Sequence, residues 1–260
     1  MISGHGLHTG APSWVRLYRE AGPVRFRRGG ATIPAHVDFV VDTRRSTTLG
    51  TAGGRVATVE HLLAALYASG WWEGLVIEVS ADELPILDGS AAPWLELLGD
   101  LGPPPPPPQG LVVENAFSLR HAHSTLRVHP GPARLCAEIH FAHPAIGKQR
   151  WCGGPQRFGE LLEARTFGFL SDLEALRAQG LATAASLQNA IVYGSEGPLS
   201  PLRFPDEPVR HKALDALGDL YLLGRPLLGC VEVIRGSHSA HVAFAQALLR
   251  EAMLLSLRPS

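Results

Sequence analysis

Val209-Arg-His-Lys-Ala-Leu-Asp-Ala-Leu-Gly-Asp-Leu-Tyr-Leu-Leu-Gly224 is the stretch around which the chain is organised. At about 100° per residue, Ala213, Leu214, Leu217, Leu220 and Tyr221 fall on one side of a helix, while His211, Asp215 and Asp219 stack four apart on the other. Gly224, followed by Arg225 and Pro226, ends that helix. Side chains on adjacent turns lie about 5–6 Å apart at Cβ, so His211 and Asp215 can reach one ion. Two ligands do not complete a zinc site, because catalytic zinc takes three protein ligands and keeps an open position.

Composition narrows where the third ligand comes from. The 260 residues are 45% hydrophobic and 18% charged, enough to bury a core in one large or two small domains. A net charge of -1 gives no basic stripe, so nucleic acid is not an expected partner. No run reaches transmembrane length, and Met1-Ile-Ser-Gly-His5 has no secretory pattern. Cys136, Cys152 and Cys230 show no CxxC spacing; they predict neither a disulfide framework nor a thiolate zinc site, and fit a reducing cytoplasm. A metal would then be held by carboxylates and by some of the 12 histidines.

Outward from this helix, Ser3-Gly-His-Gly-Leu-His-Thr-Gly10 reads as a glycine-punctuated loop exposing His5 and His8. Residues 13–18 and the run ending in Phe39-Val-Val41 read as strands, and 42–49 as a polar loop without assigned chemistry. Thr58-Val-Glu-His-Leu-Leu-Ala-Ala-Leu-Tyr67 predicts a helix with Val59, Leu62, Leu63 and Leu66 inward and Thr58 as N-cap. Its first turn carries Glu60 and His61. They could serve as base and ligand, or as a solvent-facing turn in which Glu60 complements the helix dipole. Residues 75–80 read as a strand, Asp88-Gly89 as a structural turn, and 93–98 as a short amphipathic helix. The six prolines at 103–108 predict a stiff polyproline spacer. Beyond it, 110–114, 124–128 and 134–141 predict an antiparallel meander, 158–165 a helix, 171–179 a second helix and 190–193 a strand. After the helix at 209–224 come a strand at 228–235, a loop at 236–239 and a terminal helix at about 240–255.

The two halves echo each other. His61-Leu-Leu-Ala-Ala-Leu66 leads through Gly70 into a strand, as His211-Lys-Ala-Leu-Asp-Ala-Leu217 does through Gly224. Chance recurrence of a helix–strand unit accounts for this almost as well. If the echo is real, the halves are duplicated α+β layers whose facing helices bring His61 to His211 and Asp215.

Six blocks, in order, carry a family resemblance: Gly6-Leu-His-Thr-Gly10, Thr58-Val-Glu-His-Leu62, Pro85-Ile-Leu-Asp-Gly-Ser90, His143-Pro-Ala-Ile146, Ala164-Arg-Thr-Phe-Gly168, and the segment from Arg210 to Asp219. Together they resemble the UDP-3-O-acyl-N-acetylglucosamine deacetylases, the zinc amidases of lipid A (lipopolysaccharide) biosynthesis. The resemblance implies an α+β fold of two tandem two-layer sandwiches, each a sheet packed on helices, with the active site in the cleft between them. The proline run sets the domain boundary, giving domains at 1–102 and 110–260 around a linker at 103–109, and the resemblance adds an acyl-passage insert near 166–190. It implies Zn2+ held by His61, His211 and Asp215, with Glu60 as general base. Thr166 would donate to the oxyanion, His238 would stabilise it or protonate the leaving amine, and Asp219 would hold His238 charged. Lys212 would meet the nucleotide diphosphate, Phe167 would wall the sugar, and His8 would bind or support the substrate, an acylated UDP-glucosamine. A cytoplasmic monomer is implied.

The chain departs from the family pattern in places. The usual Lys-Ser-Gly-His is Arg235-Gly-Ser-His238 here, which leaves the aim of His238 open. Gly-Gly-Ser is replaced by Ala184-Ala185-Ser186, which would narrow the acyl passage, and Ile-Asp-Asn by Trp71-Trp72-Glu73-Gly74. The usual leading strand residues are missing before the first motif. The altered loop is the one support for an alternative, a catalytically silent relative that binds acylated nucleotide-sugar.

Overall fold

Pro12–Pro23 alternates, with Ser13, Val15 and Leu17 buried and Trp14 and Arg16 outward, and this period of two builds a strand with one face in the core. In the computed structural model, which describes residues 1–256, it belongs to a five-stranded sheet. The order is Ile2–His5, Pro12–Pro23, Glu73–Val79, Arg25–Arg28, Ala31–Pro34. Glu73–Val79 runs antiparallel to Pro12–Pro23 and parallel to Arg25–Arg28.

The second sheet repeats this plan. Its order is Phe117–His121, Ser124–His129, Cys230–Ile234, Arg134–His140, Lys148–Gly153. Cys230–Ile234 is likewise antiparallel to one neighbour and parallel to the other. In both sheets the strand that arrives last takes the central place, and it arrives from a helix: α1 (Glu60–Ser69) in the first half, α4 (Glu207–Tyr221) in the second. The echo in the sequence is thus a repeated topology. The expected meander is corrected accordingly, because a strand from near the chain's end inserts between Ser124–His129 and Arg134–His140.

Helices α2 (Ala92–Gly99) and α5 (His238–Ser256) follow the two central strands, and α3 (Leu170–Ala178) precedes α4 in the second half. Helix α4 packs on α1 on one side and on Arg134–His140 and Lys148–Gly153 on the other. Buried residues of both sheets and of the helices packed on them form one continuous core that includes Phe26, Leu62, Leu126, Leu214 and Phe244. Among the described residues, no helix is long and apolar enough to cross a membrane.

Local readings are corrected elsewhere. Residues 3–5, expected in a loop, belong to the edge strand Ile2–His5, while His8 is half-buried in the turn beyond. The segment expected as a helix at 158–165 is a 3₁₀ turn, Pro155–Leu161, opened by a proline after Gly154. The proline run is irregular chain lying along the first half, where a Cβ on Gly74 would stand 3.1 Å from Pro105. Cys136 and Cys152, expected as thiols, form a disulfide, since the hairpin places them directly opposite with Cα atoms 4.1 Å apart. Cys230 is free.

Candidate functional site

Helices α1 and α4 touch through backbone. A Cβ on Gly218 of α4 would stand 2.1 Å from the Glu60 carbonyl oxygen, so only glycine permits this approach. The contact sets the first turn of α1 beside the polar row of α4. Thr58 does not cap α1. It adopts φ +59 and donates its hydroxyl to Glu83 Oε1 at 3.1 Å, and the helix starts at Glu60 without a side-chain cap. Glu60 and His61 are 3% and 4% exposed, which removes the reading of a solvent-facing turn.

His61, His211 and Asp215 each direct one ligand atom into a common space, all within 4.8 Å of one another. His211 Nε2 lies 3.3 Å and His61 Nε2 3.8 Å from Asp215 Oδ1. That oxygen is buried and has no hydrogen-bond partner among the described residues, whereas Oδ2 accepts from Lys212 Nζ at 2.8 Å. Leaving a buried carboxylate oxygen unpaired is costly, so the arrangement fits a cation facing it. His211 Nδ1 meets the Ala164 carbonyl at 3.1 Å and donates to it, which leaves the Nε2 lone pair free for a metal. Burial lowers both imidazoles, His61 to about 3 with His211 nearby adding to the effect, so they stand neutral as ligands must. Asp215 is held well below the carboxylate range: burial opposes ionisation, and His211 and Lys212 outweigh it. Two neutral imidazoles and one carboxylate are the donor set of a catalytic metal with an open position.

Beside this trio lies a second polar chain. Glu60 Oε2 accepts from the Thr47 backbone N–H at 3.0 Å, and Oε1 lies 3.8 Å from His238 Nε2. Asp219 Oδ2 accepts from His238 Nδ1 and from His241 Nδ1, each at 2.8 Å, and Oδ1 accepts from the Thr47 hydroxyl at 2.5 Å. Burial, with Asp219 and Asp215 nearby, raises Glu60 to about 7 against the opposing pull of His238. Burial alone would lower His238, yet the Asp219 and Glu60 carboxylates raise it to about 9. Burial raises Asp219, and His238 and His241 overcome it, bringing the carboxyl to about 2. At neutral pH the site therefore holds a poised carboxylate next to an imidazolium. His238 is the first residue of α5, where a loop was expected.

Glu60, His61, His211, Asp215 and His238 line a cavity of about 480 Å³. Ile86, Phe141, Phe169, Leu173 and Leu176 line the apolar remainder. Thr166, Phe167, Lys212 and His8 all reach the wall. Thr166 is fixed by its N–H donating to the Gly89 carbonyl at 2.7 Å. Gly89 has φ +85 and a Cβ there would stand 2.0 Å from the Asn189 carbonyl oxygen, so the Asp88-Gly89 turn is what docks this segment. The Phe167 ring stands edge-on to His211 at 6.3 Å. His8 Nδ1 accepts from the Ala182 N–H at 3.4 Å, and the N–H groups of His8 and Thr9 donate to the buried Glu83 carboxylate at 2.9 and 2.8 Å.

Nine of the ten residues singled out in the sequence line this cavity, and Asp219 joins them through His238 Nδ1. Thr47, Glu83 and His241 were missed. Thr47 has no local signal, its partners lying 13, 172 and 191 residues away. His241 had one, since it stands three positions after His238 and shares its helix face.

The family model described as UDP-3-O-acyl N-acetylglycosamine deacetylase matches residues 1–250. A UDP-3-O-acyl-N-acetylglucosamine deacetylase of Thermosynechococcus vestitus is 39% identical over 263 residues, covering 96% of this chain and 91% of its own. Relatives of the same name from Anaeromyxobacter dehalogenans and Myxococcus xanthus are 40% and 39% identical, covering 96% and 100% of this chain and 84% and 87% of theirs. On the match across nearly its whole length, the chain belongs to the UDP-3-O-acyl-N-acetylglucosamine deacetylase family.

Proposed function

We propose that the protein hydrolyses the acetamide of UDP-3-O-(3-hydroxyacyl)-N-acetylglucosamine, giving the free 2-amine and acetate, a step of lipid A biosynthesis. The observation that carries the reading is the unpartnered Asp215 Oδ1 facing two neutral imidazoles, with Glu60 next to them. A zinc ion held by His61, His211 and Asp215 would supply a Lewis acid for water and the amide carbonyl. Glu60, tethered through Oε2 to the Thr47 N–H, takes the proton from the attacking water at Oε1. His238, with Nδ1 on Asp219, presents Nε2–H to the developing oxyanion or the departing amine. The Thr166 hydroxyl adds a donor to the oxyanion, an interaction strongest in the tetrahedral intermediate. Phe167 walls the sugar, His8 supports the substrate at the mouth, and the Lys212 ammonium offers charge to the diphosphate. The apolar end of the cavity, bounded by α3 within the insert near 166–190, takes the acyl chain.

In the same reading the protein is a cytoplasmic monomer of two domains, 1–102 and 110–260, about the proline linker at 103–109. Residues 235–238 were the support for a silent relative, yet His238 stands on Asp219 at 2.8 Å, so nothing in this site favours that alternative. The test is acetate release by metal-stripped protein with and without one equivalent of zinc. Turnover restored by zinc is expected; stoichiometric zinc binding without turnover would overturn the assignment.

A further inference from the structure

The roles above leave one buried histidine unused. His241 is 1% exposed and shares Asp219 Oδ2 with His238, both Nδ1 atoms standing at 2.8 Å. Because Asp219 is an ionised carboxylate, it accepts from both. With the Thr47 hydroxyl on Oδ1, three donors, two from the first turn of α5 and one from a loop far away in sequence, fix the plane of the carboxylate and so the edge it offers to His238. His241 Nε2 is also buried and has no hydrogen-bond partner among the described residues. It abuts Gly236: a Cβ there would stand 2.4 Å from Nε2 and 2.5 Å from Val233 Cγ1.

The glycine answers a demand for space rather than for backbone freedom. The left-handed residue of this turn is Arg235, at φ +55, and Gly236 is not among the positive-φ residues. A glycine chosen to relieve the backbone would sit at 235, and one matching the family pattern would sit at 237. Its place at 236 matches the imidazole beneath it.

We infer that His241 and Gly236 act as a pair, His241 as a positioning residue that aims His238 through Asp219, and Gly236 as the notch that admits its ring. The shifted glycine and the extra imidazole are then one adaptation rather than two. The inference rests on the deacetylase reading of His238, and its test separates the two.

Steady-state kinetics and metal content are measured for the wild type, His241→Leu, His241→Asn, Gly236→Ala and the double variant Gly236→Ala/His241→Asn. His241→Leu is expected to lose roughly tenfold in kcat with KM within about twofold and one metal ion per chain retained. His241→Asn, which keeps an N–H near the Nδ1 position, recovers most of that loss. Gly236→Ala is damaging in the native background and less so in the His241→Asn background, where the shorter side chain leaves only the Val233 methyl in its way. A wild-type kcat in His241→Leu, equal Gly236→Ala penalties in both backgrounds, or a second metal ion that His241→Leu loses would each overturn the pairing. A wild type without turnover would instead count against the deacetylase reading. In that event ¹⁵N-imidazole spectra decide the pairing: a slowly exchanging His241 Nδ1–H that Asp219→Asn perturbs supports it, and an unprotonated Nδ1 overturns it.

Discussion

Helices α1 and α4 hold equivalent places in a repeated topology, each feeding the central strand of its sheet, yet they present chemistry in different ways. Helix α4 has 15 residues and offers His211, Asp215 and Asp219 from one face across two turns. Helix α1 has 10 residues and offers only its start, Glu60 and His61, adjacent in sequence and diverging in space. His61 turns to the α4 trio, and Glu60 turns to Thr47 and His238. A face can build a ligand set by periodicity, whereas a helix start depends on what it docks against. Here that is Gly218, which lets the two backbones meet.

The difference is broken most severely by removing a ligand from either helix. His211→Ala and His61→Ala should both lose the metal and roughly 10³-fold or more in turnover, read by elemental analysis and acetate release. Glu60→Ala separates the two neighbours on α1: it should keep the metal and lose roughly 10²–10⁴-fold in kcat. Rate against pH sharpens this further. The active form needs Glu60 ionised and His238 protonated. With Glu60 at about 7 in the metal-free chain, a bound cation draws the acidic limb to or below that value. The basic limb falls where His238 loses its proton, near 9. Activity should drop about tenfold per pH unit beyond each limb, and His238→Gln should abolish the basic one.

Gly218→Ala tests the docking itself. A methyl 2.1 Å from the Glu60 carbonyl must part the helices, costing about 1–3 kcal/mol and several degrees of Tm, with kcat reduced more than metal content. The smallest effect concerns the two sheets. Only the second carries a disulfide among the described residues, and neither of its cysteines lines the cavity, so reduction should lower Tm by a few degrees and leave kcat unchanged. Without reductant, alkylation should mark Cys230 alone, and in a reducing compartment all three cysteines.

The sequence disclosed periodic and local features well. The apolar face of α4, the polar row behind it and the alternation over residues 13–18 could be read directly, because each follows from residue spacing within one element. Strand order could not. The insertion of Cys230–Ile234 beside Arg134–His140 depends on a crossover that no local pattern encodes, so a meander was the simpler expectation. Thr58 looked like a cap because its type suits one, and only the fold shows its hydroxyl on Glu83 instead. The Cys136–Cys152 bond was hidden for a similar reason, since register rather than spacing brings those strands' residues opposite.

Zinc stoichiometry in Glu60→Ala set against His211→Ala tests the central claim most directly, namely that a metal lies between the two helices with Glu60 beside it rather than on it. The account predicts about one ion per chain in Glu60→Ala, as in the wild type, and none in His211→Ala. Equal loss of zinc in both variants would make Glu60 a ligand and contradict it.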